Sequence, residues 1–389
     1  MSSMHLALKY LRYHFWRTVI LVICLTITVS LPISVRVLIY FYQKDLNTRA
    51  EATPLVMGKK GHRFDLIMNA LYFRTNLSEY LSMLDFKQLQ ESGLAQGLPV
   101  FARYTARKIP VAGVTSDYFF YRRLTPQSGS LPILLGDAVM GHKAANKLKV
   151  KVGDSIFSDQ TNLYNISSQY PLKLKIVGIL EPNRTIDDEV IFVDLQTAWI
   201  IDGLGHGHAD LGRQDQKDKV LKKEKGNIVG NASVTVYQEI TPENINSYHF
   251  HGGDDTLPLT ALICLPKNQK SATILRARFS LNETKQLLDS KKIVKELLSM
   301  VFKVERFLHF SFLLIAFSTL LLLVNIIILS IRLRIKEFQT MQHIGCSPSV
   351  IIGMQVIEWA FILFFSFILC SGIIIILLSN ASKLTVFFQ

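Results

Sequence analysis

The sequence lacks the short motifs that announce catalytic chemistry. There is no Gly-x4-Gly-Lys-Ser/Thr phosphate loop; the nearest basic glycine stretch, MGKKGHRF, has neither the spacing nor the hydroxyl that would hold magnesium. HExxH, CxxC and Gly-x-Ser-x-Gly are missing as well, so the chain reads as non-catalytic. Cysteine is scarce, with four in 389 residues. Cys24 and Cys370 fall in apolar runs and Cys346 in the loop between two of them, which leaves Cys264 alone in the central segment. That segment can form no internal disulfide, and its size must supply the core. Neither a sequence repeat nor a low-complexity tract is present. Charge is missing from three long runs: TVILVICLTITVSLPISV from Thr18, FSFLLIAFSTLLLLVNIIILSI over 310 to 331, and AFILFFSFILCSGIIIILLS ending at Ser379.

What is present is apolar surface. Hydrophobic residues make up 49% of the chain and the mean hydropathy is +0.27. Each uncharged run supplies the roughly 17–25 residues that a helix needs to cross a hydrocarbon slab of about 30 Å. We place spans at 18–42, 307–331 and 351–379. The first exceeds the roughly 7–15 apolar residues of a secretory signal and no small-x-small cleavage site precedes Arg36, so it reads as a retained anchor, kinked at Pro32. Segment 1–17 holds Lys9, Arg12 and Arg17 without an acid, and segment 332–350 holds Arg332, Arg334 and Lys336 against Glu337. The bias of basic residues places both in the cytoplasm, with 43–306 and the tail 380–389 outside. Long domains cross whatever their charge, so the formal net charge of +13 does not argue for nucleic acid. The lysine-rich stretch QDQKDKVLKKEKGN (214–227) reads as a solvated loop, with anionic membrane lipid as a further contact.

The amino-terminal MHLALKYLRYHFWR alternates basic and apolar residues at helical spacing, as an interfacial helix or as ordinary flanking anchors would. YFYQKDLNTRAEATPLV extends the first helix as far as Pro54. Ser280 with Glu283 reads as a capping box for a helix whose apolar face carries Leu287, Val294, Leu298 and Val301. The two flanks then form a paired helical stalk. Between them LPVFARYTARKIPVAGV (98–114), PLKLKIVGIL (171–180), EVIFVDL (189–195), ASVTVYQEI (232–240) and LTALICL (259–265) are strand candidates, with helices over 138–149 and 83–92. The expected fold is an α-helical membrane protein of three transmembrane helices, with a large α+β extracytoplasmic domain inserted between helices 1 and 2 on a helical stalk.

The stretch RIKEFQTMQHIGCSP interrupts the apolar carboxyl-terminal region with a charged helix. Ile335, Phe338, Met341 (or Gln342) and Ile344 alternate with polar positions, Gly345 ends the helix and Pro348 starts the next element. Glu358, early in the third span, is expected to pair with Arg332 or Lys336, and Asn325 to bond across a helix interface. The segment RLRIKEFQTMQHIGCSPSVIIGMQVIEW resembles the corresponding part of the MacB and FtsX-like permeases of ABC transporters. Further likeness lies in TPLVMGKKGHRFDLIMNALYF (53–73), LLGDAVMGHKAANKLKVKVGDSI (134–156), with Gly153-Asp154 as a turn, and PLKLKIVGILEPNRTIDDEVIFVDLQTAW (171–199).

The resemblance implies a permease subunit of the bacterial inner membrane that binds no cofactor directly. A separate cytoplasmic ATPase would hydrolyse ATP and grip a coupling helix through Arg334, Lys336, Glu337, Met341, Gly345, Ser347 and Glu358. It also implies a second permease copy in a homodimer. Members of that family commonly have four spans where three are read here, so either this branch ends outside or a fourth lies beyond the sequence.

Two windows carry a second signal. GLGHGHADL holds His206, His208 and Asp210; YHFHGGDD holds His249, His251 and Asp254. Imidazoles two residues apart on an extended segment lie on one side, as zinc ligands would, while the plainer reading is that glycine-flanked histidines cap turns. The windows are similar to a branch of the same permeases linked to bacterial zinc uptake, which implies zinc as cargo and a periplasmic carrier protein as partner. The alternative is an FtsX-like mechanotransmitter that regulates an external partner such as a cell-wall hydrolase, or exports a lipoprotein or peptide, without zinc. A third class, a membrane-anchored sensor, would have no ATPase.

Overall fold

The computed structural model describes residues 3–74, 77–159, 171–207, 220–224, 227–230, 237–250 and 252–387. The chain divides into two compact units, one of residues 46–297 and one of residues 1–45 with 298–389.

The 46–297 unit is α+β. Its main sheet has ten strands, which run across the sheet in the order Lys285–Asp289, Leu55–Lys59, Ala261–Pro266, Ala95–Ala106, Ile109–Val114, Ile191–Asp194, Asp137–Met140, Lys173–Leu180 and Pro126–Gly129; Ser155–Phe157 pairs on Lys173–Leu180. Most neighbours are antiparallel, but Ile109–Val114 runs parallel to Ile191–Asp194, and Asp137–Met140 parallel to Lys173–Leu180. The sequence explains which strands lie inside. LVMG and IFV are continuous apolar runs, and their residues are buried whichever way the side chains alternate. In KLKIVGIL the alternation survives: Leu174, Ile176 and Leu180 point into the core while Lys175 reaches solvent.

Helices cover the sheet. Arg63–Tyr72 lies against Ala261–Pro266, Leu195–Ile201 packs on Ile109–Val114, and Met83–Glu91 opens on a capping box formed by Ser82 and Asp85. Gly113 lets the Leu195–Ile201 helix come close, since a Cβ there would stand 2.5 Å from that of Ala198.

The sequence expectations meet this fold unevenly. LPVFARYTARKIPVAGV, PLKLKIVGIL, EVIFVDL and LTALICL all lie on main-sheet strands, whereas most of ASVTVYQEI lies outside the described residues. The helix expected over 138–149 is a strand to Met140 followed by a short helix, His142–Leu148; the apolar DAVM joins the sheet because both its neighbours are strands. Ser280 closes a helix, Gln269–Ser280, instead of capping one, and Leu287 sits on the edge strand Lys285–Asp289. The following helix starts at Ser290, buries Val294 and Leu298, and continues to His343.

Near the end of the long helix Phe15–Glu51, the guanidinium of Arg49 is buried within the 46–297 unit. Its terminal nitrogens donate in a fork to the two carboxylate oxygens of Asp187 at 2.7 and 2.9 Å, and its Nε donates to the carbonyl of Leu71. Tyr118 accepts from Arg49 at 3.1 Å and donates to Asp187 at 3.1 Å. Burial on its own would raise the Asp187 carboxyl, but the charge and hydrogen bonds of Arg49 win and hold it below the usual carboxylate range. Burial, reinforced by the charge of Asp187, pushes the Tyr118 hydroxyl up to about 12.

The other unit is helical. It holds the short helix Ser3–Tyr13, the start of Phe15–Glu51 with Pro32 inside it, most of Ser290–His343, and Pro348–Phe387. Among the described residues three helices are long and apolar enough to cross a membrane, one amino-terminal and two carboxyl-terminal. Leu21, Val22 and Ile362 form a small packed centre with Leu25, Leu323, Ile326 and Trp359 around it. Thr26 donates to the carbonyl of Val22 at 2.7 Å and Ser366 to that of Ile362 at 2.8 Å, so these hydroxyls are satisfied within their own helices. Many other apolar side chains, such as Phe310, Leu313, Phe364 and Ile375, face outward, as lipid-facing residues do.

Candidate functional site

The charged stretch after Ile331 is the last three turns of the helix Ser290–His343, not a separate helix. Arg, Lys, Glu, Gln and Met favour helix and no glycine or proline intervenes, so nothing breaks it before Gly345. There the amide of Gly345 donates to the carbonyl of Gln342 at 3.0 Å and that of Cys346 to Met341 at 2.9 Å, with Gly345 at φ +97°: a Schellman close that needs glycine. Pro348 takes the first position of the next helix, where its missing N–H costs nothing. Ser347 precedes it, its hydroxyl 2.8 Å from that of Ser349.

Glu358 anchors this turn. Its side chain is 2% exposed and receives one arginine on each oxygen: Arg334 Nη1 on Oε2 and Arg17 Nη2 on Oε1, both at 3.2 Å. The partners expected from the sequence, Arg332 and Lys336, are exposed; two residues along a helix turns a side chain about 200°, so with Arg334 facing the third helix both Arg332 and Lys336, which share the opposite side, face away. Arg17 also donates to Ser330 at 3.0 Å and to the Tyr10 hydroxyl at 3.3 Å. Arg334 donates from Nε to Glu337 at 3.3 Å and lies with its guanidinium 3.6 Å from the centre of the Tyr10 ring and 5.0 Å from that of Phe338. One carboxylate thus gathers residues of three helices.

The inward line of the helix end is therefore Arg334, Phe338 and Met341, while Ile335 and Ile344 stand out, Ile344 at 78% exposure. That differs from the expected apolar face, because steps of three drift around a helix of 3.6 residues per turn. Lys336, Glu337, Gly345 and Ser347 are exposed around the tip. A surface with a charged rim, an apolar end and a buried ionic root is fit to be gripped by another protein. Sequence reasoning missed Arg17, Tyr10 and Ser330. The available signal was a single arginine at the last position before an uncharged run, which needs a counter-charge if it is half-buried.

The histidine windows fall partly within the described residues. Gly205–Gly207 and Tyr248–Phe250 pair antiparallel with His206 opposite His249, ring centres 4.8 Å apart, and His249 Nδ1 lies 3.1 Å from the carbonyl of Ser247. Asp254 begins a short 3-10 turn and is exposed. His208, Asp210 and His251 lie outside the described residues. Among the described residues no three His, Cys, Asp or Glu side chains gather as a metal site would require.

A family model described as a MacB-like periplasmic core domain matches residues 24–240, more than half of the chain. Among solved structures, the chain is similar to the periplasmic region of MacB from Actinobacillus actinomycetemcomitans, at 9% identity and a TM-score of 0.35, over 64% of this chain and 94% of that one. It is also similar to the extracellular domain of the noncanonic ABC-type transporter YknZ from Gram-positive bacteria, at 12% identity and a TM-score of 0.33, over 60% of this chain and 99% of that one. No curated protein matches the chain.

Proposed function

The chain belongs to the family that carries a MacB-like periplasmic core domain, permease-type subunits of ABC transporters, and from that premise we propose that it couples ATP hydrolysis by a separate cytoplasmic ATPase to movement of its extracytoplasmic domain. The observation that supports the reading is the helix end 332–343, rooted by Arg334 on Glu358 and closed at Gly345, with Lys336, Glu337 and Ser347 exposed around it. In this reading Met341 steadies the helix end, the exposed residues meet the ATPase, and the amino terminus and helix tip share the cytoplasmic side of a bacterial inner membrane. A second permease copy completes the complex.

Glu337→Lys tests the contact. The expected outcome is a chain that inserts and purifies as the wild type does, with co-purification of the ATPase reduced at least tenfold and ATP turnover uncoupled from function. Wild-type co-purification and activity in that variant would overturn the docking role.

For cargo the reading assigns zinc or a zinc carrier, supported by the facing imidazoles of His206 and His249. Calorimetric titration of the full chain with zinc, beside the quadruple alanine variant of His206, His208, His249 and His251, decides it. Equal heats from both remove zinc and leave mechanical regulation of an external partner as the function.

A further inference from the structure

The helix Ser3–Tyr13 does more than flank a span. It packs along Pro348–Phe387, and between its outer side and the helix end at 334–341 lies an open cavity of about 590 Å³. Leu6, Lys9, Tyr10 and Tyr13 recur on one side of the short helix and line it, with Arg12 at their edge; Met341 and Met354 supply an apolar wall from the other two helices. Its volume falls within the roughly 300–1,000 Å³ of ordinary ligand pockets.

The charges facing this space are unequal. His14 also lines it; Lys9, Arg12 and Arg334 are cations, and Glu337 is the acid. Arg334 is held by Glu358 and by Glu337, so the one acid of the lining, itself 59% exposed, is already paired with a cation. Lys9 and Arg12 form no ion pair among the described residues. Phe15 and Trp16, at 57% and 76% exposure, follow directly, which puts large aromatic side chains at the point where the uncharged run begins. Aromatic rings of this kind settle at the headgroup level of a bilayer, and basic residues beside them attract anionic lipid.

The geometry points to a binding site for one anionic phospholipid of the adjoining leaflet, its phosphate held by Lys9 and Arg12 with the Tyr10 and Tyr13 hydroxyls nearby, and its acyl chains leaving along Leu6, Met341 and Met354. A lipid fits better than an acidic peptide because the wall that continues from the two cations is apolar. The lipid then bridges the amino-terminal helix and the helix end rooted on Glu358, so its presence firms the root of the exposed tip. This inference needs only that the helices span a membrane, and it stands or falls apart from the ATPase and from zinc.

The test uses the full chain in mild detergent, stripped of lipid and offered dioleoylphosphatidylglycerol or dioleoylphosphatidylcholine, with bound lipid counted by native mass spectrometry. The wild type should retain one phosphatidylglycerol in preference to phosphatidylcholine. Lys9→Gln with Arg12→Gln should cut that preference by about 30-fold, two basic contacts being lost. Lys9→Arg with Arg12→Lys should keep it, and Lys291→Gln with Lys292→Gln, which are not among the residues lining the cavity, should leave it untouched. Equal retention of the two lipids by the wild type overturns the proposal, even if the double glutamine variant fails to fold. Complete displacement by millimolar inorganic phosphate would reduce the site to a free-anion site and also overturn it. So would an unaltered lipid preference in the double glutamine variant; lost ATPase co-purification alongside it would hand the surface to a protein partner.

Discussion

Asp187 and Glu358 are both almost fully buried carboxylates held by arginine, yet they are held differently. Asp187 takes a single arginine in a fork, at 2.7 and 2.9 Å, with Tyr118 closing the set and the rings of Phe73 and Phe192 packed around that tyrosine. Glu358 divides its oxygens between two arginines from different helices, each through one bond at 3.2 Å, and Arg17 keeps 32% of its side chain exposed. A fork ties two points together and leaves an uncompensated charge if either is removed. A divided carboxylate can release one arginine and remain paired with the other. The first arrangement suits a rigid lobe, and the second would let helices shift against each other without stranding the carboxylate.

The harshest way to break the comparison is Asp187→Ala. Arg49 would be left charged and sealed from water, at a cost of about 3–5 kcal/mol, and the thermal midpoint of the 46–297 unit should fall accordingly. A midpoint within a degree or two of wild type would mean that the fork is not what holds the end of the first long helix in the lobe.

Titration sharpens the same point from both ends of the pH scale. The folded state holds the Asp187 carboxyl below its ordinary value, so its contribution is complete above that value and disappears as pH falls through the depressed one. Tyr118 is raised, to about 12, so its contribution is complete below the ordinary phenol value and is lost as pH rises from about 10 towards 12. The rise from about 10 to about 12 corresponds to about 2–3 kcal/mol. Thermal unfolding followed into that alkaline window should show a steeper loss for the wild type than for Tyr118→Phe. Parallel losses in the two proteins would assign the alkaline transition to other groups; Cys264, whose thiol burial also pushes up to about 12, is the first of these.

Much of the fold could be read from the sequence because its strongest signals are local. Three uncharged runs, and strands as apolar as EVIFVDL, need no knowledge of their neighbours. Where a segment's state depended on what lay beside it, reading failed: DAVM is a strand because Ile191–Asp194 and Lys173–Leu180 flank it, and Ser280 ends a helix although its spacing from Glu283 mimics a cap. The site divides along the same line. Gly345 and Pro348 mark the end of one helix and the start of the next through backbone chemistry alone. The partners of Glu358 required knowing which side of one helix faces another, and Arg17 lies 341 residues away. Arg49 and Asp187, 138 residues apart, were invisible for the same reason.

The two arginines of Glu358 can be weighed against each other. Arg334→Gln removes a partner that is only 5% exposed and also covers the Tyr10 ring, so it should cost about 2–4 kcal/mol of the helical unit's stability. Glutamine cannot replace the charge, but Arg17 still answers the carboxylate, which keeps the cost below that of Asp187→Ala.

Arg17→Gln should be the mildest change, about 1 kcal/mol or less, because a side chain this exposed is already screened by water and headgroups. Its value lies in what it leaves behind. Glu358 would keep Arg334, while the bonds of Arg17 to Ser330 and to the Tyr10 hydroxyl are lost, so the helix tip should remain formed while Ser3–Tyr13 loosens from it. Amide exchange measured by mass spectrometry in detergent should rise over Ser3–Tyr13 and stay near wild type over 334–343. Equal increases in both segments would show that the carboxylate's two bonds act as one unit, and the contrast with Asp187 would vanish.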